Sequence, residues 1–286
     1  MRTLRLIGMA VIAVIMSAGF AACSDDDDNN NNNNNSSINP QNVFTHGMPK
    51  QVSDMKITQN EQGLVTKIKT DDATVTFEYP NTLTKAETTG QYVTMTIKKD
   101  TGGEQEETFI FDMEIGSDGF VKHCSETEED GDIESWDFRY TKEGNLNYMK
   151  RSEGGNEITT ITYTDGNITK TSTISEDEPD VNSEYNIYYT SDAIKTPLEN
   201  KGCLMLFDAT FGIDMDEMDF AYYAGLLGKA TKNLPIRYTS QSTISGIASE
   251  DTRDFSWSVN SNGYPTKLSM KSLNDYTTNE DKVFVW

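Results

Sequence analysis

The sequence predicts an all-β domain: a long antiparallel meander forming a curved or barrel-like sheet, with one short helical insert. Three observations lead there. Apolar residues fall on every second position in run after run, which gives each run one buried face and one wet face. Glycine follows a polar residue at joint after joint between the runs, where a tight hairpin needs positive φ. The segments between runs are too short for the crossover helices that a parallel sheet requires.

The chain opens differently. Met1 to Arg5 holds two arginines, Leu6 to Phe20 is apolar apart from small residues, and Phe20-Ala21-Ala22-Cys23 leads into a block of acids. A basic start, a short apolar core and small residues at the cut are the features of a secretory signal peptide, here residues 1–22. Ala21-Ala22-Cys23 resembles the lipobox of bacterial lipoproteins, which implies that Cys23 becomes the lipidated mature N-terminus. Ser24, Asp25, Asp26, Asp27 and Asp28 follow directly. They resemble the signal by which Bacteroidetes lipoproteins reach the outer face of the outer membrane. A charge run that keeps a tether soluble is the plainer reading, and the two are compatible. Asn29 to Asn35 and two serines continue a segment with nothing to bury. Residues 23–42 therefore read as a lipidated acidic and Asn-rich tether. As a flexible coil it spans on the order of 25 Å.

Residues 43–286 read as a single β domain. The alternation is clear in Thr74 to Tyr79, in Val93-Met95-Ile97 and in Phe109-Phe111-Met113-Ile115. It recurs in Trp136-Phe138-Tyr140, Tyr185-Ile187-Tyr189, Phe255-Trp257-Val259 and Leu268-Met270. About 14 candidate strands emerge at short, fairly even spacing. Gln62-Gly63, Asp118-Gly119, Glu143-Gly144, Asp165-Gly166 and Asn262-Gly263 mark turns and form a weak internal repeat. That repeat fits hairpins in a meander better than the tighter periodicity of a propeller.

One segment breaks the pattern near 214–228. Met215, Met218, Tyr222 and Leu226 recur at near-helical spacing, and acids at 214, 216 and 217 sit where they favour the positive end of a helix dipole. This stripe is expected to pack on the sheet or to plug its open end.

Taken together, Phe44 to Lys50, Gly63 to Ile68, Tyr223 to Gly228 with Leu234-Pro235, and Asn262 to Lys267 resemble a family of Bacteroidetes lipoproteins of unknown function described as having a porin-like fold. The resemblance implies a curled sheet and brings no activity and no catalytic residues.

Chemistry is sparse. A formal net charge of −22 repels phosphate backbones, which excludes nucleic acid as a partner. The two histidines, His46 and His123, lack a nucleophile arrangement, and His123 and Cys124 are adjacent and so on opposite sheet faces. No catalytic residue, metal or cofactor is assigned. The acid clusters around 126–132 and 214–219 offer oxygen ligands but match no calcium loop. With Cys23 lipidated, Cys124 and Cys203 remain as a candidate disulfide in an exported protein, against two thiols acting as small apolar residues. Tyr188, if on the wet face, is a candidate for stacking on a sugar, and a cross-strand contact is the plainer reading.

The expectation is therefore a lipid-anchored outer-membrane protein facing the cell exterior. Its domain is read as a non-enzymatic binding or structural module for glycan, peptide or a protein partner. The alternative is a surface hydrolase that acts on polysaccharide through paired carboxylates.

Overall fold

The computed structural model describes residues 38–80, 91–100, 106–127, 131–152, 155–178, 180–244, 246–274 and 279–286. Residues 1–22, read from sequence as a signal peptide, Cys23 and the run Ser24 to Asp28 lie outside the described residues.

The alternating runs become strands that pair with their neighbours in chain order. β1 (Gln51–Val52), β2 (Met55–Gln59), β3 (Val65–Lys69) and β4 (Ala73–Glu78) lead into the long pair β5 (Gln91–Asp100) and β6 (Glu106–Ile115). β7 (Val121–Thr127), β8 (Ile133–Tyr140), β9 (Leu146–Arg151), β10 (Glu157–Thr164), β11 (Asn167–Ser175) and β12 (Asn182–Tyr188) continue the meander. An insert follows, holding β13 (Leu198–Glu199), α1 (Phe207–Phe211), a 3-10 turn (Asp216–Met218), α2 (Asp219–Tyr223) and β14 (Asn233–Leu234). β15 (Arg237–Ile244), β16 (Ile247–Val259), β17 (Pro265–Ser272) and β18 (Asn279–Val285) complete the chain. Every strand except β13 and β14, which pair with each other, belongs to one closed antiparallel barrel. β12 pairs with β15 across the insert, and β1 closes the ring by pairing Gln51 with Val285 and with Lys56. The sequence undercounts the strands because two-residue pieces such as β1 carry no alternation to read.

Alternation puts Val75, Met95, Ile97, Phe111, Met113, Trp136, Phe138, Ile161, Ile187 and Met270 inside, all buried in one apolar core. Their neighbours Thr76, Lys98, Asp112, Asp137, Arg139, Thr160 and Thr162 face out and are exposed. A membrane-spanning barrel has the opposite polarity, with an apolar outer band and a polar lumen. This wall is built to face water. Among the described residues no helix is long and apolar enough to cross a membrane either.

The lumen is filled by the insert. Met215, Met218, Tyr222 and Leu226 are all buried in the same core, as the helical stripe predicted. Its helices are shorter than the sequence suggests and begin earlier, at Phe207. Residues 224–228 are not helical, because Gly225 and Gly228 take φ of +80° and +81°. At Gly225 a Cβ would stand 2.6 Å from the Pro40 backbone, so only glycine lets the chain pass the lead-in segment there.

The five polar-Gly turns all lie at the barrel end where the insert enters, which explains their spacing: each repeat is one up-and-down pair of strands. They also form the rim on which the insert is pinned. Lys229 and Lys232 donate backbone N–H to the carbonyls of Gly144 and Gly166 at 2.8 Å, and Lys201 Nζ donates to Asn262 O at 2.8 Å. Val121 N–H reaches Leu226 O at 2.9 Å. Further in, Thr171 Oγ1 of β11 donates to Phe211 O at 2.7 Å. At the tip of the insert, Asp214 meets Arg151 of β9 at 2.9 Å and Glu217 meets Lys99 of β5 at 2.5 Å. Both basic residues sit at the opposite end of their strands, so the insert traverses the lumen and returns. The lead-in segment packs at the plugged end, with Phe44 edge-on to Tyr222 at 5.7 Å.

Candidate functional site

One sector of the barrel is not filled. From Arg237 to Ile244 and from Ile247 to Arg253, β15 and β16 form a long hairpin whose inward positions change character along its length. Starting beside the core, the cross-strand partners run Tyr238 with Arg253, Ser240 with Asp251, Ser242 with Ser249 and Ile244 with Ile247. Tyr185 of β12 pairs with Ser240, and Ser272 of β17 pairs with Arg253. All of these but Ile244 and Ile247, together with Asn274, Glu250 and Asp208 of α1, line a cleft of about 630 Å³ at the end of the barrel away from the insert's point of entrance. Beyond them, at the tip of the hairpin, Ile247 is 74% exposed.

Asp251 organises the wall. Its Oδ1 accepts from Thr252 N–H at 2.8 Å and from Ser272 Oγ at 3.1 Å, and its Oδ2 accepts from Tyr238 OH at 3.2 Å. Arg253 stands 3.8 Å from the same Oδ2, with its guanidinium 5.7 Å from the centre of the Tyr238 ring. Tyr238 in turn meets Tyr185 edge-on at 5.1 Å and Phe255 at 5.6 Å, so the aromatic floor is locked into the core. On the opposite wall, loss of hydration in the lumen and then the charge of Asp214 raise the Asp208 carboxyl above the usual range, against the pull of Arg253.

The fold and this cleft define a class: a water-facing β-barrel filled by its own insert, with a polar recess left at one mouth. The chain belongs to the family described as a domain of unknown function (DUF4595) with porin-like fold, whose model matches residues 48–267. Among solved structures it is similar to a porin-like protein from Bacteroides uniformis, with 15% identity, a TM-score of 0.55, and 81% of this chain and 87% of that one covered. It is also similar to a porin-like protein from Bacteroides vulgatus, with 12% identity, a TM-score of 0.54, and 84% of this chain and 99% of that one covered. No curated protein matches the sequence. At these identities the likeness concerns the fold.

The residues singled out from sequence lie elsewhere in the barrel. Tyr188 is on the outer wall, 43% exposed, above the ion pair of Arg237 and Asp254. It shares an outer groove of about 860 Å³ with Ile194 and Lys195, and its hydroxyl stands 3.5 Å from Thr239 Oγ1. Cys124 and Cys203 are free thiols rather than a disulfide. Cys124 lies in the wall of the core, where burial, then Glu126 and Asp112, push its pKa up and keep it unreactive. Cys203 is half-buried beside Thr45 and is raised by burial as well. His123 faces outward and pairs with Asp137 at 2.8 Å. Among the described residues no group of three or more His, Cys, Asp or Glu side chains is placed to hold a metal ion.

Sequence reasoning missed the cleft residues, although a signal existed. From Thr239 to Thr243 and from Ala248 to Asp254 neither alternate set is apolar beyond a single alanine, which is unusual for strands inside a sheet. A strand that is polar on both faces has water on both faces.

Proposed function

We propose that this protein is a lipid-anchored, surface-exposed outer-membrane protein whose barrel is a binding module, and that the cleft at the unplugged mouth takes its ligand. The observation that carries the reading is the recess itself: about 630 Å³ of polar space in an otherwise apolar, filled barrel, a size typical of small-ligand sites. The anchor rests on Cys23 and its preceding Ala21-Ala22, and the outward address on Ser24 to Asp28. The lead-in segment from Ile38 packs at the plugged end, and the cleft opens at the other end of the barrel.

The second reading, a polysaccharide hydrolase, draws on Asp208, whose raised pKa suits a general acid. The remaining chemistry favours binding. Asp251 accepts from three donors, which stabilise its charged form and make it a weak base or nucleophile. Incubating the full-length protein in detergent with glycan and peptide libraries separates the readings. Retained, unmodified ligand is the expected result. Turnover that disappears in Asp208→Asn would make it a hydrolase, and the absence of any bound ligand would overturn the binding reading.

A further inference from the structure

The polar groups of the cleft are unequally used. Asp251 already accepts from Thr252, Ser272 and Tyr238. Arg253 has five N–H donors, yet among the described residues it makes no hydrogen bond, since Asp251 at 3.8 Å is beyond reach and Tyr238 offers only its ring. Asp208 on the facing wall likewise has no hydrogen-bond partner for its carboxylate among the described residues, and it lies within electrostatic range of Arg253. A donor-only group and an acceptor-only group thus face one space.

We propose that this pair reads hydroxyl groups of an uncharged oligosaccharide, with Arg253 donating to and Asp208 accepting from the same sugar. The inference rests on the binding reading above and names its ligand class. A hydroxyl both donates and accepts, so neighbouring hydroxyls satisfy both residues at once. Charge selects against the alternatives. Asp208 and Asp251 outnumber Arg253 in the cleft, within a chain of net charge −22, so an acidic ligand meets repulsion. A cationic ligand satisfies Asp208 but leaves the Arg253 donors desolvated and unpaired, which is costly. The inward hydroxyl of Ser240 suits the polar rim of a sugar ring, and the rings of Tyr185 and Tyr238 suit its C–H face.

Calorimetry on the full-length protein in detergent tests this with neutral gluco-, xylo- and manno-oligosaccharides, oligogalacturonides of matched length, and short basic peptides. At least one neutral series is expected to bind, with the acidic series at least tenfold weaker. Arg253→Lys, which keeps the charge and loses the planar fork, and Asp208→Asn should each weaken neutral binding at least tenfold at an unchanged urea midpoint. Tighter binding of the acidic series or of peptides would overturn the ligand class while leaving the binding reading intact. Unchanged affinity in both variants would remove these two residues from recognition. Failure of every probe would overturn both the class and the reading beneath it.

Discussion

Gly212 carries the ring of Tyr185 directly against its α-carbon: a Cβ there would stand 2.3–2.4 Å from three ring atoms. The same glycine ends α1 at φ +63°, with its N–H bonded to Asp208 O at 3.1 Å. One residue thus sets the position of two groups on opposite sides of the cleft.

Gly212→Ala should therefore destabilise the protein in two separable ways. Left-handed backbone costs alanine about 1–2 kcal/mol, and displacing a packed ring adds about 1–3 kcal/mol. In a Tyr185→Ala background the second part should vanish and the first remain. Urea melts of the four proteins measure the coupling, and equal costs in both backgrounds would refute the contact.

Leu226 lies at the base of the insert with 0% exposure, and its carbonyl is bonded to Val121. Truncation to alanine leaves that bond and removes the packing of three carbons, for an expected loss of about 2–5 kcal/mol. A shift in urea midpoint equivalent to less than ~0.5 kcal/mol, the range of surface positions, would mean that the insert does not support the barrel.

The tip of the insert makes stability depend on pH. Burial, then Asp208, Asp214 and Asp216, push Asp219 up to about 8, and burial followed by a hydrogen bond that protonated Glu217 donates to Asp216 pushes Glu217 up to about 7 despite Lys99. Unfolded, both groups ionise near pH 4. Between about pH 4 and 8 the folded state holds protons that the unfolded chain has released, so stability falls as pH rises through that window. Urea midpoints should be lower at pH 8.5 than at pH 5.5, and Asp219→Asn should flatten the difference. A midpoint that rises over the same interval would contradict the burial of these acids.

If Cys23 of the lipobox-like Ala21-Ala22-Cys23 carries the proposed anchor, Cys23→Ala should abolish labelling by fatty acid and release the protein from membranes. Label that persists in the variant would place the anchor elsewhere.

Replacing Asp25 to Asp28 by alanine should leave the protein acylated but protect it from protease added to intact cells. Equal cleavage of variant and parent would leave those acids as a solubilising run only.

The parts of this protein that could be read directly are those whose signal is local. Period-two alternation through Val93, Met95 and Ile97 needs only the pleat of one strand, and the positive φ of Gly63, Gly119, Gly144, Gly166 and Gly263 needs only one turn. The apolar stripe of Met215, Met218, Tyr222 and Leu226 announced burial correctly, although it overstated helix. A segment surrounded by barrel wall is apolar on every side, and that pattern resembles helical spacing without requiring it.

Closure, the plug and the cleft belong to the tertiary structure. Alternation is identical in an open sheet and a closed one, and what decides between them is whether Gln51 finds Val285 at the far end of the chain. The cleft is assembled from β12, β15, β16, β17 and α1, and its serines look in sequence like solvent-facing positions of an ordinary strand. Only the register that sets Ser240 beside Asp251 and Tyr185, with Asp208 brought up from within the lumen, turns them inward around a shared space. Which face a residue takes follows from its neighbours along the chain, whereas what that face looks upon depends on strands brought together from distant parts of it.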